Sequence, residues 1–366
     1  MRSNFLAEPG RVGFRPSTRS VGCALLAALL AAPAFSEEDP LGPAPRDDDG
    51  RFENWAGPFE RPGPGVFVPF ALRRLAKTFR SPTGLPEQVE NDGALLRENA
   101  GTGATTLTWI GHATLLVQLD GLSFLTDPIW SRTASPVPFI GPSRLLPPGL
   151  EIEKLPPIDF VLVSHNHYDH LDTPTLRKLA ELQPQATFLV PLGNGALLRE
   201  NGISRVVELD WGEQLQFGEG EGKVEVWCLP AQHWSKRGLS DDFKALWASW
   251  AVIGPEHRFY FGGDTGYFDG FARIGARLGP FDLAALSIGA YLPPEMMRFM
   301  HLDPEEALRA GRDLRARRVV AMHFGTFNLG AEPIGQPPVR FRAGAADAGY
   351  APDDAWVLGI GETRDF

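Results

Sequence analysis

Cysteine is nearly absent, with only Cys23 and Cys228 in a chain of 366 residues. Cys23 lies in the apolar N-terminal stretch discussed below, so a mature chain has no internal pair for a disulfide and must be held by packing. Positive charge is also scarce. The 35 Lys and Arg stand against 45 Asp and Glu, a net charge of -10, which argues against a nucleic-acid partner, because phosphate backbones select clustered cations. The same balance disfavours anionic substrates at long range, unless bound metal ions dominate the local field of a cleft. No internal repeat occurs at the periods that mark solenoids or propellers. Glycine and proline are abundant instead, 40 and 33 residues, which implies many irregular connections. With 43% hydrophobic residues and 22% charged, the chain can still bury a substantial core.

Residues 1–36 follow a separate logic. Arg2, Arg11, Arg15 and Arg19 precede an uncharged apolar run from Val21 to Phe35, and Ala34-Phe35-Ser36 offers a cleavage point before Glu37. This pattern predicts an export signal, with an uncleaved membrane anchor or an early-assigned start as rivals. The catalytic part is then expected to be periplasmic or membrane-associated. Residues 37–104, rich in Pro and Gly and with an acidic cluster at Asp47, Asp48 and Asp49, read as a linker and an N-terminal cap. Within them, Leu72, Leu75, Ala76 and Phe79 recur at helical spacing beside Arg73, Arg74, Lys77 and Arg80. Such a helix fits a membrane surface or the protein core equally well.

Residues 105–366 read as one domain. Short apolar runs at 105–110, 114–119, 122–125, 160–163, 187–190, 224–229, 248–253, 259–261, 283–286 and 319–322 predict strands, with a tight Asp120-Gly121 turn between the second and third. Asp303, Pro304 and Glu306 form a helix start with a capping box, and Thr173-Pro174 opens another helix. The pattern suits two mixed sheets with helices outside.

The chemistry concentrates in Ser164-His165-Asn166-His167-Tyr168-Asp169-His170, directly after one apolar run. Imidazole and carboxylate are the ligands of catalytic zinc sites that keep a position open for water. At a strand end, alternation sends His165 and His167 to one side, while the following turn brings Asp169 and His170 towards a second ion. His233, Asp264 and His323 each follow an apolar run as well, at places where a sheet edge opens into a cleft. His301, just before the capped helix, is a further candidate for binding phosphate or serving the leaving group. His257 reads as a surface turn residue.

This series, His165-x-His167-x-Asp169-His170 followed by His233, Asp264 and His323, resembles the ligand set of metallo-β-lactamase-fold hydrolases. The resemblance implies an α/β fold, an αββα sandwich of two mixed sheets flanked by helices, with two Zn2+ ions at one edge. One ion would be held by His165, His167 and His233, and the other by Asp169, His170 and His323, with Asp264 bridging. Asp127 would support the histidine loop from behind, joined by His112 and Thr265. Eight further segments, including Trp109-Ile110-Gly111-His112-Ala113-Thr114, Gly262-Gly263-Asp264-Thr265-Gly266-Tyr267 and His323-Phe324-Gly325-Thr326-Phe327, resemble the N-acyl phosphatidylethanolamine phospholipase D family. That likeness runs from about Phe52 to Thr363. It implies a phosphodiesterase acting on a phospholipid at a membrane surface, releasing an N-acylethanolamine and phosphatidic acid, with Asp169, Asp264 and His301 as catalytic groups. A hydroxide bridging the zinc ions would be the nucleophile, since coordination lowers the pKa of water from about 15.7 to roughly 7. A homodimer is compatible with the sequence. The chain departs from the family between Tyr291 and His301, where Glu295, Met296 and Met300 replace aromatic and glutamine residues. A lactonase or esterase on the same metal site, and a non-catalytic membrane-tethered binding module, are the alternatives.

Overall fold

Strands that are apolar on both faces set the frame. In the short strand Phe160–Leu162, Phe160 and Leu162 enter one buried cluster while Val161 and the following Val163 enter another, as the alternation of strand side chains requires. A strand of this kind needs a packed layer on each side, and the chain supplies two. The computed structural model describes residues 41–366 apart from 59–62, 64, 67, 71, 73–81 and 138–139. The export segment with Cys23, and the basic helical segment beyond Leu72, fall outside the described residues.

The described strands are β1 Thr106–Gly111, β2 Thr114–Leu119, β3 Leu122–Thr126, β4 Phe160–Leu162, β5 Thr187–Pro191, β6 Val206–Leu209 and β7 Gln214–Phe217. They continue as β8 Val224–Leu229, β9 Ser249–Ile253, β10 Arg258–Phe261, β11 Leu283–Ser287, β12 Arg318–Met322, β13 Ala355–Trp356 and β14 Thr363–Asp365. One sheet has the order β14-β1-β2-β3-β4-β5-β6 and the other β13-β12-β11-β10-β9-β8-β7. Each sheet is antiparallel through one half and parallel through the other, the changeover falling at β3 and at β10. The interior between the sheets is packed with rings. Phe124 stacks on Phe160 and Phe160 on Phe217, both at 4.6 Å between centroids.

The helices named below, all among the described residues, are α1 Ala94–Asn99, α2 Thr173–Leu182, α3 Gly195–Glu200, α4 Gly270–Leu278, α5 Pro294–Met297, α6 Pro304–Asp313 and α7 Gln336–Gly344. Leu176 and Leu179 of α2 and Leu198 of α3 cover the outer face of the first sheet. Phe271 and Ile274 of α4, Ala307 and Ala310 of α6 and Phe341 of α7 extend the core beyond the second sheet. The result is the αββα sandwich. Among the described residues no helix is long and apolar enough to cross a membrane.

Two findings differ from the sequence reading. Residues 41–57 do not merely link: Leu41, Ala44 and Phe52 join the central core, and Asn54 is buried. Strands β6, β7, β13 and β14 were not anticipated. β6, β7 and β13 end their sheets, and β13 and β14 are too short to carry a period of their own.

The capping box is formed as its spacing implies. Asp303 accepts from Glu306 N at 2.8 Å, Glu306 accepts from Asp303 N at 3.3 Å, and Arg340 also bonds the Asp303 carboxylate. Asp303→Ala is expected to cost about 1–2 kcal/mol of folding free energy. A denaturant titration checks this, and an unchanged midpoint would contradict the role given to the cap.

Candidate metal centre

Four strand ends and one loop open onto the same edge of the sandwich. β4 delivers the loop 164–170, β8 leads to His233, β10 to Asp264 and β12 to His323. The Asp264 turn depends on Gly263, whose φ is +57 and where a Cβ would meet the Ser164 Cβ at 2.6 Å. Only glycine allows this close approach of the two loops. His112, Asp127 and His323 also have positive φ, at 56, 35 and 60 degrees. Such conformations in non-glycine residues persist where the surroundings over-determine them.

Hydrogen bonds fix which nitrogen each ring turns inward. Asp127 is fully buried and accepts from Ser164 N, from Ser164 Oγ and from His170 Nδ1, each at 2.6 Å. Because Ser164 Oγ donates to Asp127, it accepts from His165 Nδ1 at 2.9 Å. His233 Nδ1 donates to the Met300 carbonyl at 2.9 Å. With those protons placed on Nδ1, the Nε2 atoms of neutral His165, His170 and His233 are lone-pair donors facing the interior.

The first group of donors is His165 Nε2, His167 Nδ1 and His233 Nε2. His167 Nδ1 lies 2.8 Å from the first and 3.3 Å from the second. Ligand atoms about 2.1 Å from a tetrahedral zinc are spaced by about 3.3 Å. One N–H on His167 can satisfy only one of two opposing lone pairs, whereas a cation satisfies all three nitrogens. Burial holds His165 and His233 well below the usual histidine range and His167 at about 4, which is the neutral form that ligation needs.

The second group is Asp169 Oδ2, His170 Nε2 and His323 Nε2, with the carboxylate 3.3 and 3.5 Å from the two nitrogens. Asp264 Oδ2 joins the groups. It lies 3.2 Å from His170 Nε2, 3.2 Å from His323 Nε2, 4.0 Å from His233 Nε2 and 3.7 Å from His301 Nδ1. Burial opposes ionisation of Asp169 and Asp264, yet the surrounding histidines, His170 for the former and His323 for the latter foremost, hold both well below the usual carboxylate range. Burial likewise opposes charge on His170 and His323, and the carboxylates, Asp264 first, outweigh it, lifting His323 to about 9 and His170 well above its usual range. The second group therefore draws positive charge inward, which a divalent cation would supply in place of protons. The buried Asp264 Oδ1 has no hydrogen-bond partner, and His170 Nε2 and His323 Nε2 face the Asp169 and Asp264 carboxylates. The donor set fits two metal ions.

The remaining residues have supporting places. His112 Nε2 lies 2.9 Å from Asp169 Oδ2, and its backbone N–H donates to Thr326 Oγ1. Thr265 accepts from Gln232 N and donates to the Gly266 carbonyl, tying the Asp264 turn to the His233 loop. His301 is buried beside both, and burial lowers it to about 4, so near neutral pH it carries a single N–H. His257 lies outside this cluster and bonds Asp120 at 2.7 Å.

Sequence reasoning missed Asn54. Its side chain donates to the His233 carbonyl at 2.9 Å and accepts from His233 N at 3.0 Å and Trp247 Nε1 at 3.1 Å, gripping a ligand 179 residues away along the chain. It missed Ser164 as the relay between Asp127 and His165 too. A cavity of about 530 Å³ lies alongside the ligand loop, lined by Ser131, Thr133, Tyr168, Asp172 and Arg237.

Replacing Asp127 with Ala releases both His165 and His170 from their inward setting. Metal affinity is expected to fall about 10- to 100-fold, the usual effect of losing an outer partner. Asn54→Ala should lower it less while costing about 1–3 kcal/mol of stability. Competition with a chromophoric chelator reads the first effect and thermal melting the second; wild-type affinity in Asp127→Ala would contradict the hydrogen-bond relay.

Residues 123–324 match the family described as Beta-lactamase superfamily domain. N-acyl-phosphatidylethanolamine-hydrolyzing phospholipase D 1 of Caenorhabditis elegans is 48% identical over 229 residues, 61% of this chain and 64% of that protein's length. A UPF0173 metal-dependent hydrolase of Pyrobaculum neutrophilum is 32% identical over 240 residues, covering 65% of this chain and 90% of its own. Among solved structures, the metallo hydrolase Igni18 of Ignicoccus hospitalis aligns with a TM-score of 0.53 at 24% identity, covering 72% of this chain and 98% of its own.

Proposed function

The chain belongs to the beta-lactamase superfamily, and from that premise we propose that it is a zinc-dependent phosphodiesterase of phospholipase D type acting on N-acyl phosphatidylethanolamine or a related glycerophospholipid. The observation that carries this reading is Asp264 Oδ2, one buried oxygen in reach of the second histidine pair and facing His233 of the first group. An arrangement of two donor groups sharing a carboxylate suits a substrate with two phosphoryl oxygens to hold. The 48% identical relative from Caenorhabditis elegans, named for hydrolysis of N-acyl phosphatidylethanolamine, supports the choice of lipid.

When bound, a pair of divalent cations supplies Lewis acidity towards phosphoryl oxygens and acidifies water. The seven ligand side chains would hold that pair, His165, His167 and His233 on one side and Asp169, His170 and His323 on the other, with Asp264 between. Water forms a new bond to phosphorus, the bond from phosphorus to the ethanolamide oxygen breaks, and the proton released by water ends on that oxygen. Phosphatidic acid and an N-acylethanolamine result. Neutral His301 offers its N–H to a phosphoryl oxygen or to the departing oxygen, a hydrogen-bond role rather than that of a strong acid. Asp169, oriented by His112, would stay ionised as a ligand or take up the proton that water releases. The lipid substrate makes a membrane surface the natural partner.

The test compares purified, metal-replete protein on N-acyl phosphatidylethanolamine in mixed micelles with a panel of lactones and carboxyl esters, products being read by mass spectrometry. Release of N-acylethanolamine is expected, falling more than about 100-fold on chelation and returning with zinc. His323→Ala should lower turnover by a similar factor. His301→Gln, which keeps an N–H donor but shifts it, should lower kcat about 10- to 100-fold with little change in KM. Turnover of lactones without any phosphodiester lipid would replace this reading by the lactonase alternative.

A further inference from the structure

Three of the histidines at the sheet edge have their outer nitrogen anchored by the protein, His165 by Ser164, His170 by Asp127 and His233 by the Met300 carbonyl. The His167 ring packs against Trp234, 4.7 Å between centroids. His323 differs. It is 3% exposed, and its buried Nδ1 finds no hydrogen-bond partner among the described residues. An imidazole that turns Nε2 to a metal carries its proton on Nδ1, so this nitrogen is a donor. A buried donor left without an acceptor costs about 1–3 kcal/mol, and the other ring nitrogen of a ligating histidine ordinarily donates to a carboxylate, a carbonyl or a water.

A small cavity lies beside His323. Its volume is about 20 Å³, and Gly289, Asn328 and Glu332 line it together with His323. About 10–15 Å³ is enough for one water, provided that two to four polar groups surround it. Glu332 is a buried carboxylate, 7% exposed and held firmly in place. Its Oε1 accepts from Ala290 N at 2.7 Å and its Oε2 from Leu292 N at 3.2 Å, while Ala331 N donates to the Leu292 carbonyl at 2.9 Å. Gly330 passes so close that a Cβ there would meet Glu332 Oε2 at 2.2 Å. The turn so gripped contains Ala290 at φ 61 and follows directly on β11. A carboxylate can accept up to about four hydrogen bonds, so bonding the turn is compatible with a second task.

We propose that this cavity binds one water that accepts from His323 Nδ1 and donates to Glu332, making Glu332 a positioning residue for the second group of donors. Asn328 supplies a further polar group to the water. The linkage would fix the His323 ring with Nε2 inward, as Asp127 does directly for His170, and the carboxylate would raise the basicity of the imidazole towards a cation. Both carboxylates that serve the second group from behind would then be buried, one on each sheet side of the edge. The inference rests on the two-metal reading of the site but not on the choice of substrate, and its test does not depend on turnover.

The zinc-loaded full chain, isotopically labelled in its imidazole nitrogens, is read by proton–nitrogen correlation, and zinc affinity by competition with a chromophoric chelator. Wild type is compared with Glu332→Gln, which removes the charge at nearly constant volume. The control is Tyr291→Phe, which breaks the bond from the Tyr291 hydroxyl to Gln336 beside the same turn and leaves the carboxylate in place. In wild type the His323 Nδ1 proton is expected to be protected from exchange and to show a cross-peak to a long-lived water. Glu332→Gln should shift that proton and weaken one zinc about 10- to 100-fold, with the other changed by less than about twofold. Tyr291→Phe should lower the melting temperature of the metal-free protein and keep both affinities within about twofold of wild type. A His323 proton without a water contact, wild-type zinc affinity in Glu332→Gln, or an equal loss in Tyr291→Phe would each overturn the linkage. Should Glu332→Gln fail to fold, the wild-type water cross-peak decides by itself. Failure of wild type to take up a second zinc would overturn the two-metal reading and this inference with it.

Discussion

Asp264 is 3% exposed and presents one oxygen to His170, His323, His301 and His233. A carboxylate taken so far out of water costs several kcal/mol unless positive charge and donors surround it. The second sheet cannot provide them alone, since it contributes His233 and His323 while His170 comes from the first. Asp169 of the first sheet has His112 and His170 of its own sheet beside it and also meets His323 across the interface. Each sheet thus ends in a carboxylate shared between its own histidines and those of the other sheet, and the edge of the sandwich is closed by electrostatics where apolar packing stops. Bound cations complete that neutralisation without requiring protonated imidazoles.

Bringing the strand ends so close has a conformational cost. His112 and His323, each with positive φ, are linked backbone to backbone, His323 N donating to the His112 carbonyl at 3.0 Å. Asp127 is similarly left-handed and has both oxygens committed. These strained residues are the ones whose side chains must point inward, so strain and orientation arise from the same turns. The rigid two-sheet core holds them there, with Trp109 stacked on Phe324 at 4.8 Å just behind the His112–His323 link.

The residues that converge at the sheet edge were readable in the sequence because metal chemistry restricts residue type and a strand end restricts position. A histidine or aspartate directly after an apolar run carries both signals. The capped start of α6 was readable because the box is a local interaction over three residues. Asn54 carried no such signal, since amide contacts with a backbone 179 residues away depend on the finished fold. The burial of Leu41 and Phe52 was hidden for a similar reason: a Pro- and Gly-rich stretch resembles a linker whether or not it lies on a core. β13 and β14 owe their pairing to β12 and β1 rather than to their own two or three residues.

Arg237 ties the turn at 237–241 to the ligand loop. Its Nη1 donates to the Asn166 carbonyl at 2.9 Å and to the Leu171 carbonyl at 2.7 Å, so one guanidinium spans the whole ligand loop from just after His165 to just after His170. The same residue donates its backbone N–H to Asp241 beneath Leu239 and stacks on Tyr168 at the cavity wall. Burial depresses its pKa, but a guanidinium remains charged throughout the accessible pH range. A single charged side chain therefore holds the turn at 237–241 against the backbone that sets His165, His167, Asp169 and His170.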